Sequence, residues 1–284
     1  MKKILVAGAS GKLGQIVVRS LKNEGHWVRV ISRTKERWDH VRIPADDIAS
    51  VDLLKPSSLE QCCDSVDAVI SCAGASMDIK RITDRATFTA VDFLGNKYLL
   101  DASKRSQVKK FVYVSVAGAE MFPKSEYCSA HVRFEQELHR SGMDHAVVKP
   151  TGFFYFFGEM MTMAKKGRGI IFGDGIAKTN PIHEEDAAQA CIDGLNGSAR
   201  EIIAGGPEVF SRKEIVELAF SVAGRTPSIT SVPPRLFIAA TYPMKFINPR
   251  IHALLEFGAA VSTSDSVVER YGKRKLSDYF QSIK

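Results

Sequence analysis

Lys3-Ile4-Leu5-Val6-Ala7-Gly8-Ala9-Ser10-Gly11-Lys12-Leu13-Gly14-Gln15 lies near the start of the chain and decides its fold. A short apolar run enters a turn with three glycines, each three residues after the last. Leu13, Ile16, Val17 and Leu21 then recur at helical spacing, so the turn leads straight into an amphipathic helix. Strand, glycine turn and helix in that order make a seat for a dinucleotide pyrophosphate. Glycine lets the backbone approach the phosphates, and the helix N-terminus offers unpaired N–H groups and the positive end of its dipole. Gly8, Ser10, Gly11, Lys12, Leu13 and Gly14 are the first candidate cofactor-binding residues.

Moving outward, Gly25 closes the helix and Trp27 to Ile31 reads as a second strand. A carboxylate at the tip of that strand would bind the ribose hydroxyls of NAD, whereas arginine accommodates the 2′-phosphate of NADP. The tip reads Ser32-Arg33-Thr34-Lys35, with no carboxylate before Glu36, and Arg33 therefore points to NADP(H). A third strand ends at Ser50-Val51-Asp52. Asp52 and Leu53 fall where the adenine would lie, although Asp52 is equally placed to cap the following turn. A fourth strand, Ala68 to Ser71, runs into Cys72-Ala73-Gly74-Ala75. Small residues there leave room for ribose and phosphates, which adds Ser71, Cys72, Ala73 and Gly74 to the candidates. A long helix ending near Ser106 places Val91, Leu94, Tyr98, Leu99 and Ala102 on one face, read as core. Strands over 110–115 and 145–149 flank a helix over 126–141. Six strands with intervening helices in the first 150 residues predict an α/β fold, a doubly wound parallel sheet of the Rossmann type.

The 284 residues, 45% of them hydrophobic, suit a main domain with a smaller C-terminal substrate lobe. The expected division is 1–150 and 151–284, with parts of 180–225 returning to the main domain. Five cysteines, an odd number without metal-ligand spacing, read as reduced thiols in a cytoplasmic protein. The first strand begins too early to leave room for a signal peptide. Net charge is +7, but the basic residues are dispersed. Solvated faces, or a cradle for an anionic small molecule, explain them better than nucleic acid does. The expected partner is a small molecule, and the expected state a monomer or homodimer.

Past Thr151 the alternation stops. Five consecutive aromatics, Phe153 to Phe157, fit the wall of an apolar substrate pocket or core packing, and different members can serve each. His183-Glu184-Glu185-Asp186 invites a metal, but acidic residues opening a helix are better explained as caps, and no metal is expected. Ser211-x-x-Glu214 is a capping box. Phe237 to Phe257 is apolar and interrupted by Pro243 and Pro249, which predicts broken helix in the smaller lobe. A membrane-surface role for this basic stretch ranks low, and apolar runs such as Leu236 to Ala240 are too short to span a bilayer.

These residues resemble the short-chain dehydrogenase/reductase superfamily, in its atypical NAD(P)H-binding branch related to the NmrA-like proteins. The resemblance rests on Gly8 to Gly14, Arg33, Asp52, Ser71-Cys72-Ala73-Gly74, Tyr113-Val114-Ser115, the helix from Tyr127 to Leu138, Lys149-Pro150-Thr151-Gly152-Phe153 and Asn180-Pro181-Ile182-His183. It implies an NADPH-dependent reductase acting on an apolar small molecule with a carbonyl or conjugated double bond. Ser71, Gly74 and Pro150, Thr151, Gly152 and Phe153 would frame the nicotinamide half. The superfamily's redox members use a serine, a tyrosine and a lysine spaced Tyr-x-x-x-Lys. Here Tyr127 matches the tyrosine and is the expected proton donor. His131 stands in place of the lysine, and the serine position falls on Val116, with Ser115 one place earlier. Tyr127, His131 and Ser115 are the expected catalytic residues. The rival implication is a non-catalytic NADP(H)-binding regulator or assembly factor, which the two departures favour.

Overall fold

The computed structural model describes residues 1–284, apart from the side chains at positions 37 and 39. β1 (Lys3–Ala7), α1 (Lys12–Asn23), β2 (Trp27–Ser32), α2 (Lys35–Asp39), β3 (Asp47–Ser50) and β4 (Ala68–Ser71) come first. A π-helical turn over Thr89–Gly95 runs into α3 (Asn96–Arg105), followed by β5 (Lys110–Val114), α4 (Glu126–Arg140) and β6 (Asp144–Pro150). Next come α5 (Phe154–Lys165), β7 (Gly169–Phe172), β8 (Lys178–Thr179), α6 (Glu184–Asn196) and β9 (Glu201–Ala204). The chain ends with β10 (Phe210–Ser211), α7 (Arg212–Ala223), β11 (Ile229–Val232), α8 (Pro234–Thr241), α9 (Met244–Ile247), α10 (Pro249–Ser262) and α11 (Leu276–Ser282).

The central sheet has seven strands in the order β3-β2-β1-β4-β5-β6-β9. β1 pairs in parallel with both β2 and β4, so the strand order reverses on either side of it. That reversal is the switch point at which doubly wound sheets bind ligands, and the glycine turn leaves β1 there. β1 and β4 are buried almost throughout, as parallel strands covered on both faces must be. β9 closes the sheet beside β6, where Val147 N–H donates to Arg200 O and Thr151 N–H to Ala204 O.

The chain forms two compact units, one of residues 1–76, 86–149 and 187–202, the other of 77–85, 150–186 and 203–284. The returning segment is shorter than the 180–225 expected, and the excursion over 77–85 carries no composition signal of its own. The second unit has its own core, in which Phe154, Phe157 and Met161 of α5 pack with Ile215 and Phe220 of α7 and Phe280 of α11. Two of the five consecutive aromatics are therefore core. Phe153, Tyr155 and Phe156 instead gather their rings in a partly exposed cluster, with Tyr155 and Phe156 centroids 4.1 Å apart.

The helix before Ser106 buries Leu99 and Ala102 as expected and departs from the expected face in its first part. Val91, Leu94 and Tyr98 are only half-buried, while Asp92, Phe93, Gly95 and Asn96 are buried. A π-turn accommodates one residue more than an α-turn. It shifts the phase of everything before Asn96, so a regular 3.6-residue repeat picks the wrong face.

Candidate nucleotide site

The glycine turn tests its own fitness for a dinucleotide. Gly8 lies in the left-handed region at φ 70°, and a Cβ there would sit 2.4 Å from the Cys72 carbonyl oxygen. A Cβ on Gly14 would sit 2.3 Å from Gly8 O. The β1 turn, the β4 loop and the first turn of α1 thus touch backbone to backbone. Gly11 is the N-cap of α1, where no side chain caps the helix and no acid occupies its first turn. A helix start left without a side-chain acceptor and aimed from a tight turn suits a phosphate, so the residues present fit the pyrophosphate.

Arg33 is exposed at the tip of β2, and Ser50 Oγ donates to its carbonyl at 3.2 Å, tying the tip to β3. Glu36, the nearest following carboxylate, is exposed and bonded locally. Hydrogen bonds from its own backbone N–H and from Thr34 hold its carboxyl below the usual range. Asp52 takes the role of turn cap, its Oδ1 accepting from Leu54 N–H at 3.1 Å. Leu53 packs against Gly95 of the π-turn, where an added Cβ would come within 3.2 Å.

Beyond β4 the small-residue loop is held from behind by two residues absent from the expected set. Asn96 Oδ1 accepts from Ser71 Oγ at 2.5 Å, and its Nδ2 donates to Ala73 O at 3.1 Å. Asp92 Oδ2 accepts from Ala75 N–H at 2.8 Å, and its Oδ1 occupies the space a Cβ on Gly74 would need. Ser71 is fully buried and its hydroxyl is engaged by Asn96, so it shapes the loop from within. Cys72 is half-buried. The signal that would have found Asp92 and Asn96 is two polar residues four apart within an apolar helix.

The expected catalytic residues lie in two separate networks. Tyr127, in the first turn of α4, is half-buried, with its ring edge-on to Phe88 at 5.1 Å and to His131 at 4.8 Å. His131 is buried and its nitrogens face elsewhere. Nδ1 lies 2.6 Å from Tyr113 Oη, and Nε2 lies 3.3 Å from Asp92 Oδ1, out of line for a hydrogen bond. Burial, with the charges of Asp92 and Glu135 added, pushes the Tyr113 phenol well above its ordinary pKa. Tyr113 therefore keeps its proton, and a hydrogen bond joins its hydroxyl to His131 Nδ1. His131 meets Tyr127 through a ring contact and belongs to a buried Asp92–His131–Tyr113 chain.

Ser115 is in the other network. Its hydroxyl donates to Glu135, which also receives Lys149 Nζ at 3.0 Å, and Lys149 reaches Glu201 at 2.8 Å. Burial pulls the Lys149 pKa down, but Glu201 and Glu135 together outweigh it and leave the ammonium above its ordinary value. With its one proton committed to Glu135, Ser115 does not stand ready to polarise a carbonyl.

In the second unit, Pro150 to Phe153 follow β6 in an ordered loop. Thr151 Oγ1 donates to Asn180 O at 2.6 Å, and Ile182 N–H to Gly152 O at 3.0 Å. The acids after His183 fill the first turn of α6, where His183 Nδ1 accepts from Glu185 N–H at 3.1 Å, and they bond elsewhere. Glu184 accepts from Tyr155 N–H, and Asp186 accepts from the backbones of Lys273 and Arg274 as well as the Arg274 guanidinium.

The family profile described as NAD(P)H-binding matches residues 8–197, from the glycine turn to the end of α6. The chain belongs to that NAD(P)H-binding family. Its resemblance to the atypical short-chain dehydrogenase/reductase branch holds, and its fold is shared widely. Over 99% of its length it is 27% identical to divinyl chlorophyllide a 8-vinyl-reductase, chloroplastic, of Arabidopsis thaliana, 76% of which is covered. Over 81% it is 25% identical to photosystem II assembly factor Ycf39 of Synechocystis, 71% of which is covered. Among solved structures, an Escherichia coli NADPH-dependent quinone oxidoreductase complexed with NADPH superposes with a TM-score of 0.77 and 15% identity over 99% of each chain, a likeness of fold.

Proposed function

We propose that this NAD(P)H-binding protein is an NADPH-dependent reductase of an apolar small molecule bearing a conjugated double bond. The observation that carries the reading is that the residues expected to support Tyr127, Ser115 and His131, are engaged elsewhere beside an intact nucleotide turn. Ser115 is committed to Glu135, and His131 to Tyr113. Reduction of a carbonyl relies on a hydroxyl pair to neutralise the alkoxide. A conjugated carbon–carbon double bond can take its proton late, from Tyr127 or water. The relative matched over 99% of the chain is named a vinyl-reductase, which supports the same choice.

NADPH, when bound, supplies the hydride. The residues of the chain do the rest. The turn and first helical N–H groups from Gly8 to Gly14 would hold the pyrophosphate, Arg33 the 2′-phosphate, and the loop from Ser71 to Gly74 the nicotinamide ribose. Tyr127 would give the proton.

The test follows NADPH oxidation over carbonyl, enone and vinyl-bearing aromatic compounds. Turnover confined to the conjugated alkenes is expected, with Tyr127→Phe slowing it about a hundredfold or less, at the low end for a general acid. Carbonyl turnover alone would overturn the reading. Arg33→Asp is expected to weaken NADPH binding tenfold or more, at about 1.4 kcal/mol per tenfold, and to leave NADH binding unchanged. Equal loss of both would remove the 2′-phosphate assignment. The second reading, a non-catalytic NADP(H)-binding assembly factor, is favoured by the same engaged Ser115 and His131 and by the Ycf39 relative. NADPH binding without turnover on any compound would select it.

A further inference from the structure

The second unit carries an apolar surface that its own core does not use. α8 and α9 bury none of their residues. Phe246 is 78% exposed, Leu236 66%, Ile247 51% and Tyr242 49%. Single exposed apolar residues need no explanation, but four within twelve positions form a patch. The patch is extended by the segment over 77–85 of the same unit. Asn248 Nδ2 donates to Ile82 O and Asp84 O, and the buried Arg250 guanidinium donates to Asp84 O and Arg81 O. These bonds fasten the segment to the start of α10, and it brings Ile79 and Ile82, each about half exposed.

The charge along α8 and α9 themselves has one sign. No aspartate or glutamate occurs between Glu217 and Glu256. Arg235 and Lys245 are exposed within α8 and α9, and Lys245 Nζ lies 5.7 Å over the Tyr242 ring. The segment over 77–85 adds Lys80, Arg81 and Arg85 against Asp78 and Asp84. Lys80 pairs with Glu159 and Arg81 with Asp78, both pairs exposed to solvent and weak.

We propose that α8, α9 and the fastened 77–85 segment form a docking surface for an anionic lipid bilayer. Phe246, Leu236 and Ile247 enter the headgroup boundary, Tyr242 sits at its level, and Arg235, Lys245 and Arg85 meet the lipid phosphates. The charge selects this occupant over a second copy of the chain. A two-fold contact through α8 and α9 would bring Arg235 and Lys245 of both copies into one apolar interface, with no acid in either helix to pair them. The sequence alone ranks a membrane role low. The exposure of α8 and α9 reverses that ranking.

The experiment is flotation of the full chain, without nucleotide, on phosphatidylcholine vesicles and on vesicles with about a third phosphatidylglycerol. Binding to the anionic vesicles is expected, with little to the neutral ones. It should fall about fivefold or more in about 0.5 M salt, where screening shortens the reach of surface charge. Phe246→Asp, at an exposed site, should keep the wild-type circular dichroism and melting temperature and lose most of the binding. Failure of the wild type to float with anionic vesicles overturns the proposal, as does unchanged binding by Phe246→Asp. A concentration-dependent dimer abolished by Phe246→Asp, in a protein that ignores vesicles, would assign the patch to self-association instead.

Discussion

Asp92 offers a substitution that separates structure from function at a single carboxylate. Asp92→Ala takes the acceptor from Ala75 N–H, opens space beside Gly74 and leaves the buried His131 Nε2 without its neighbour. The expected result is a loss of about 1–3 kcal/mol in unfolding free energy, typical of an orphaned buried polar group. NADPH affinity should fall about tenfold as the loop loosens. Asp92→Asn keeps an oxygen for Ala75 and should retain most of the affinity; an equal loss in both variants would show that the charge itself is needed. Calorimetric titration alongside urea unfolding reads both quantities. The turn made by Gly8, Gly11 and Gly14 and the place of Arg33 at the tip of β2 are legible in the sequence because each is set by its own backbone or by one strand. Ser71, Ser115 and His131 were legible as positions and not as roles. Each is defined by a partner distant in sequence, namely Asn96, Glu135 and Tyr113, and spacing along the chain does not reveal where a side chain will find its partner.

At the scale of elements, the capping box at the start of α7 was readable in full, because both of its bonds span four residues. Glu214 N–H donates to Ser211 Oγ at 3.1 Å, and Ser211 N–H to Glu214 Oε2 at 2.6 Å. The backbone bond from Ser211 is the main cause of a Glu214 pKa below 4.5. A depressed carboxyl stabilises the native state above its unfolded pKa and loses that contribution as pH falls through the folded value. Glu214→Ala is therefore expected to cost about 0.5–1 kcal/mol near neutral pH. The gap in urea midpoint from the wild type should narrow below pH of about 4.5 as Glu214 protonates. A gap constant from neutral to acid pH would mean that the box is not what the substitution removes. The π-turn over Thr89–Gly95 was unreadable for the opposite reason. Nothing in Thr89-Ala90-Val91-Asp92-Phe93-Leu94-Gly95 departs from an α-helical composition, and the wider turn is stabilised by what Asp92 and Asn96 reach beyond the helix.

For the whole molecule, NADPH should act as a stabiliser as well as a cosubstrate. At free ligand about a hundred times Kd, binding to the native state alone adds about 2.7 kcal/mol, which should raise the melting temperature by several degrees. NADH at the same concentration should raise it less if Arg33 discriminates as proposed, and equal shifts would argue against that discrimination. The doubly wound sheet was legible from six apolar runs, whereas the interleaving of the two units was not, since 77–85 and 187–202 look like any other loop or helix. That interleaving sets an order of events during synthesis. β6 is complete once Pro150 has been made, but its partner β9 begins only at Glu201, about fifty residues later. At the ribosome's usual pace the free edge of β6 waits a few seconds for that partner. Throughout that interval an apolar strand with unpaired N–H and C=O groups is open to a neighbouring nascent chain, which makes the sheet's last edge the place where crowded polysomes would first misassemble this protein.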